Sequence, residues 1–181
     1  HSLSYLLNRL GSECHRGPIL RDNPFEIEHF INTQSFDILI TTGGVSAGDK
    51  DYLPRVLKEI GAQIIFHKLN LKPGMPMLAA TINNKIILGL PGNAVSTYVT
   101  SLIFLPPLLA ALRGMTPATF WVQGILGSDI DHSGNKEWVV PAFRIDSLLH
   151  PVKSRDSSDL VALAQADVVI RIASPKKKGD T

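Results

Sequence analysis

Apolar side chains recur at helical spacing in three places near the start of the chain. Leu3, Leu6, Leu7 and Leu10 predict a helix over 2–10 that Gly11 stops. Phe25, Ile27, Phe30 and Ile31 line the face of a second, with Asn23 as its N-cap and Pro24 at the first helical position. Leu53, Val56, Leu57 and Ile60 mark a third, closed by Gly61. Between the helices the period shortens. Residues 13–20 read as a short strand, and 36–42 as a strand buried on both faces, which suits a parallel sheet. Residues 62–66, 77–81 and 85–90 read as three more, the last two joined by a turn at Asn83-Asn84. A long uncharged helix follows Asn93, and Pro106-Pro107 should break or kink it. This alternation argues for a three-layer α/β domain with a mostly parallel sheet.

Past Gly114 the texture changes. Residues 121–126, 137–145 and 167–173 read as strands, separated by turn signals at Gly127-Ser128 and Ser133-Gly134-Asn135. One short helix over 159–164 sits among them. The expected organisation is an α/β domain over 1–114 and a small, mainly β domain over 115–181. The lysines of Pro175–Gly179 read most simply as a solvated turn, the alternative being a basic patch for an anion.

Composition narrows the function classes. Of 181 residues, 44% are hydrophobic and 19% charged, which suits a globular protein with a real core. A net charge of +2 gives no reason to expect nucleic acid. The single cysteine, Cys14, cannot form an internal disulfide; it reads as a buried small hydrophobe in a reducing, cytoplasmic setting. No signal peptide is visible ahead of the first helix. Residues 94–112 carry no charge, but Ser96, Thr97, Thr100, Ser101 and the proline pair favour a buried helix over a membrane span. His15, His67, His132 and His150 lack metal-ligand spacing and read as structural or surface residues. No GxSxG elbow suggests a serine nucleophile.

Candidate chemistry concentrates in three stretches. In "ITTGGVSAGDKD", Ile40 to Asp51, Gly43, Gly44 and Gly48 follow a strand and precede a helix, with Thr42 and Ser46 as hydroxyl donors. Such a loop is either a tight turn or a backbone cradle for an anion. Asp51 suits two roles, an N-cap ahead of Pro54 or a carboxylate beside Mg²⁺. In "HKLNLKPGMP", read as a strand, Lys68, Asn70 and Lys72 share a face, and the lysines lie ~13 Å apart. That face is either solvated or holds two points of an extended anion such as a pyrophosphate, and Pro73-Gly74 then turns the chain. "GLPGNAVS", Gly89 to Ser96, is a second strand–turn–helix, either an ordinary turn or another anion cradle. Two such loops at strand C-termini strengthen the ligand reading. The binding set drawn from the three stretches is Thr42, Gly43, Gly44, Ser46, Gly48, Pro73, Gly74, Pro91, Gly92, Asn93 and Ser96.

Together with "RDNP" at Arg21–Pro24 and "DLVALAQAD" at Asp159–Asp167, these stretches resemble the molybdopterin molybdenumtransferase family, the bacterial MoeA and gephyrin E-domain type. The resemblance implies a molybdopterin-binding α/β domain followed by the family's C-terminal β domain. It implies insertion of molybdate into adenylylated molybdopterin, with Mg²⁺ assistance and release of AMP. The family's functional acids fall on Asp22 and Asp51, its paired lysines on Lys68 and Lys72, and the proline of its LPGN loop on Pro91. A homodimer, with a molybdopterin adenylyltransferase as a possible partner, is also implied. Asp22 has a local reading too, as a residue shaping the Asn23-Pro24 helix start. Departures are Ala94, where the family usually has a second proline, and Asp49, often Glu. The family's opening strand and two further N-terminal domains are not represented, so the chain is expected to be a piece of the full enzyme, its sheet incomplete at the N-terminus. The alternatives are a molybdopterin adenylyltransferase and a non-catalytic molybdopterin-binding scaffold.

Overall fold

Leucine spacing and a terminal glycine build helix α1 (Ser2–Arg9), which Gly11 closes at φ +74°. The computed structural model describes residues 2–46, 48, 51–117, 121–153 and 159–181; Asp49 lies outside them. No strand forms over 13–20, where Gly17 and Pro18 interrupt the pattern. Cys14 there is half-buried, not buried. Helix α2 (Pro24–Thr33) starts as expected, the Asn23 side chain accepting from Phe25 N–H. Its core face is Ile27 and Ile31; Phe25, in the first turn, is 79% exposed.

The chain divides into two compact units, one of His1–Leu69 with Gly74–Asn93, the other of Asn70–Pro73 with Ala94–Thr181. Compactness thus draws its line ahead of the long helix, whereas the sequence suggested a boundary at 114. In the first unit, β1 (Ile38–Thr42), α3 (Leu53–Glu59), β2 (Gln63–His67), β4 (Leu78–Ile82) and β5 (Lys85–Leu90) follow α2; the short β3 (Leu71–Lys72) lies in the second unit. The sheet order is β1-β5-β4-β2. β1 and β5 run parallel, while β4 is antiparallel to both β5 and β2. Three strands therefore point one way, yet only one neighbouring pair is parallel, which corrects the mostly parallel sheet expected. The cause is local: Asn83 and Asn84, at φ +49° and +63°, form a tight hairpin that reverses the chain between β4 and β5.

Helices α2 and α3 cover one face of this sheet, with Ile31, Leu53, Val56 and Leu57 packed against Leu78, Ala80 and Ile87. Leu88 and Leu90 are just as buried on the other face of β5. β1 lies at the sheet edge and is half-buried, not covered on both faces.

In the second unit α4 (Ala94–Leu112) runs unbroken through Pro106 and Pro107, although each proline removes one backbone donor. By length and composition alone α4 could cross a membrane; Val99, Thr100, Ser101 and Leu105 on it are buried. The β sheet comprises β3, β6 (Ile125–Leu126), β7 (Glu137–Ile145), β8 (Leu148–Pro151) and β9 (Val168–Ile172). β9 lines one edge of β7, and β3 and β8 share the other. The expected strand over 121–126 shrinks to its last two residues, and β8 has no counterpart in the sequence reading. Helix α5 (Leu160–Ala164) is capped by Asp159, which accepts from Ala162 N–H. The C-terminal turn is tied down: Asp129 receives Lys177 Nζ at 3.0 Å and Lys178 N–H at 2.8 Å.

Candidate functional site

β1 and β5 are parallel neighbours with Thr42 opposite Leu90, so the loops that follow them leave adjacent strand C-termini. Gly43 N–H donates to Leu90 O at 2.9 Å, and Gly43 and Gly44 take φ +89° and +71°, which side chains with a Cβ disfavour. A Cβ on Gly92 would sit 3.3 Å from Gly43 Cα, so the two loops touch through glycine backbone. Val45 is 1% exposed and occupies the space beside Gly89, where a Cβ would run into its Cγ1. Val45 O accepts from His67 Nε2 at 2.9 Å. Buried side chain and bonded carbonyl together fix the loop, leaving Thr42, Ser46 and Gly48 exposed.

Asp51 is not a helix cap. Its Oδ2 accepts from Gly48 N–H at 3.1 Å while its own N–H donates to Gly48 O at 3.0 Å, which closes the end of the glycine loop. The residue flanking α3 is Tyr52, in helical conformation and without a side-chain cap. The carboxylate is therefore spent backward on the loop, not forward on the helix. No group of three or more potential metal-ligating side chains occurs among the described residues.

The lysines do not share a strand face. β2 ends at His67; Lys68 has φ +74°, and its N–H donates to Met77 O at 2.8 Å, turning the chain. β3 then pairs with β7, far along the chain, and Glu137 N–H donates to Asn70 O. Lys68 thus belongs to the first unit and Lys72 to the second, and the spacing of a single strand does not apply. Lys72 Nζ lies 4.3 Å from the centre of the Trp138 ring, and His132, 4% exposed, packs against that ring. Asn70 Nδ2 donates to Asn135 O at 2.6 Å.

Asp22 is exposed just ahead of α2, and no hydrogen bond joins it to the glycine loops among the described residues. Gly92 is exposed, Pro91 buried, Asn93 half-buried and Ser96 only 4% exposed. Pro73 is half-buried, and Gly74 has φ +119°. Sequence reasoning passed over three contributors. His67 was read as merely structural, Gly89 as part of a turn motif, and Trp138 as a strand residue. Only the Gly89 interruption of an apolar strand carried a local signal. A cavity of about 1390 Å³ lies within the second unit, lined by Tyr98, Leu102, Trp121, Arg144 and Arg171 among others. It includes none of the loop residues.

Paired glycine loops leave neighbouring strand C-termini of an α/β sheet, the place where open sheets of this class bind their ligands. The chain belongs to the molybdopterin-binding family: the profile described as "Probable molybdopterin binding domain" matches residues 1–111. A molybdopterin molybdenumtransferase of Synechococcus elongatus is 38% identical over 121 residues, 64% of this chain and 30% of that protein. One from Nostoc is 30% identical over 181 residues, 93% of this chain and 42% of that protein. The crystal structure of the molybdopterin biosynthesis moeA protein of Pyrococcus horikoshii OT3 superposes with a TM-score of 0.74 at 20% identity. It covers 99% of this chain and 43% of that one, which shows a shared fold. The chain thus spans less than half the length of these relatives.

Proposed function

We propose that this chain is the C-terminal part of a molybdopterin molybdenumtransferase, acting in molybdenum cofactor biosynthesis. Residues 1–114 would form its molybdopterin-binding domain and 115–181 its C-terminal β domain. The observation that carries the reading is the pair of glycine loops joined at Gly43 and Gly92, with Asp51 closing one of them. The substrates are adenylylated molybdopterin and molybdate; water cleaves the phosphoanhydride and AMP leaves, and the two dithiolene sulfurs bond the metal as their protons carry one molybdate oxygen away as water.

In this reading Thr42 and Ser46 offer hydroxyl donors and Gly44 and Ser46 offer N–H donors to the pterin phosphate. Gly43 and Gly48, whose N–H groups are bonded to Leu90 O and Asp51 Oδ2, let the backbone approach it closely. Pro91, Gly92 and Asn93 form the second wall, and Ser96, Pro73 and Gly74 are further members of the binding set. Lys68 and Lys72 neutralise phosphate or molybdate oxyanions, and Asp22 is a further acid of the site. Mg²⁺ is compatible with the donor set in one form only, held by Asp51 and substrate phosphate oxygens, where it would polarise the phosphoanhydride. The protein is read as a cytoplasmic homodimer that receives its substrate from a molybdopterin adenylyltransferase.

The test uses the whole gene product. With adenylylated molybdopterin and molybdate it is expected to release AMP in step with metal insertion. Formation of the AMP adduct from unadenylylated molybdopterin and MgATP would make it an adenylyltransferase instead. Binding without any turnover would make it a scaffold.

A further inference from the structure

We infer that His67 is a positioning residue of the glycine loop, aiming the Ser46 N–H at the bound anion. The inference rests on the anion-cradle reading and adds a residue that acts through the backbone. Val45 O can only accept, so the 2.9 Å contact requires His67 Nε2 to carry the proton and donate it. That bond joins the end of β2 to a loop 22 residues earlier in the chain. The peptide between Val45 and Ser46 is planar and trans, so its carbonyl and its N–H point in opposite directions. With the carbonyl held toward His67, the Ser46 N–H faces away from it. Ser46 is exposed, and its N–H has no acceptor among the described residues.

The peptide has little freedom to rotate. Val45, 1% exposed, is wedged beside Gly89, so the residue preceding the N–H cannot follow a rotating carbonyl. Gly43 N–H is already committed to Leu90 O. The Ser46 N–H is therefore a donor presented by the loop, and among the described residues His67 is the one side chain bonded to the peptide that orients it. An amide fixed before the ligand arrives saves the cost of ordering it on binding.

Two variants and one spectroscopic signature test this in the 181-residue chain. His67→Phe keeps the ring volume and deletes the donor; His67→Gln supplies an amide N–H at nearly the reach of Nε2. Titration with inorganic pyrophosphate is expected to shift the Ser46 amide resonance in the unaltered chain. Affinity should fall roughly tenfold in His67→Phe, the order of one oriented hydrogen bond to a charged group. It should return to within about twofold in His67→Gln. Nitrogen shifts of the His67 ring should show a proton on Nε2 with or without pyrophosphate. A ring protonated only on Nδ1, or a folded His67→Phe chain that binds as the unaltered one does, overturns the inference and leaves the cradle standing. An unaltered chain that binds no pyrophosphate removes the cradle itself, and the role of His67 with it.

Discussion

Gly89 shows how an absent side chain places a loop. Any Cβ there would meet Val45, with Leu53 Cδ2 3.1 Å away, so Gly89→Ala must displace the wedge that fixes the glycine cradle. Overpacking of this kind typically costs about 1–3 kcal/mol, and urea denaturation should show it as a lower midpoint. An unchanged midpoint would mean that Val45 relocates freely, which its burial argues against. Lys68 makes the converse case. Its φ of +74° is a conformation that costs an L-residue about 1–2 kcal/mol, and glycine adopts it without that cost. Lys68→Gly should therefore leave stability level or raise it, while weakening binding of a phosphate-bearing ligand. A loss of stability would show that the lysine is structural. Composition made the glycines and lysines visible. The His67–Val45 bond was not visible, because nothing local to either residue encodes a contact 22 positions away.

Elements were legible where their ends are chemically marked. Asn23-Pro24, Gly61 and Asn83-Asn84 announce boundaries that the structure keeps, and β7 occupies the expected residues 137–145. β8 was missed because it is short and owes its existence to pairing with β7, not to its own pattern, and the strand read over 67–76 survives only as the two residues of β3. The C-terminal turn is solvated, as its sequence suggested, and Asp129 also anchors it. Lys178 N–H, then Lys177 Nζ, hold the Asp129 carboxyl below its ordinary range. A depressed carboxyl stabilises the folded state above its unfolded pKa, and that contribution is lost as pH falls through the folded value. Lys177, raised by Asp129, contributes below the unfolded lysine value and fades only as pH climbs through its own higher one. Asp129→Asn should accordingly flatten the acid limb of a stability–pH curve. An acid limb identical to that of the unaltered chain would show that the turn adds nothing.

At the scale of the molecule, the family motifs were readable because glycines, lysines and prolines stand at fixed spacings. Their distribution over two compact units was not readable. The segment "KLNLKPGMP" looks continuous in sequence, yet Lys68 closes the first unit's β2 while Lys72 sits in β3 of the second, over Trp138. If both lysines serve one anionic ligand, their energetic neighbours must differ. Trp138 should couple to Lys72 and not to Lys68. A double-mutant cycle on molybdopterin binding puts this to the test. Lys72→Ala and Trp138→Leu should be non-additive by about 0.5–1 kcal/mol, the usual size of an exposed cation–π contact. Lys68→Ala and Trp138→Leu should add. Additivity in both pairs would mean that Trp138 merely covers the core beneath it. Coupling in both would mean that the ligand draws the two lysines and the tryptophan into one electrostatic unit.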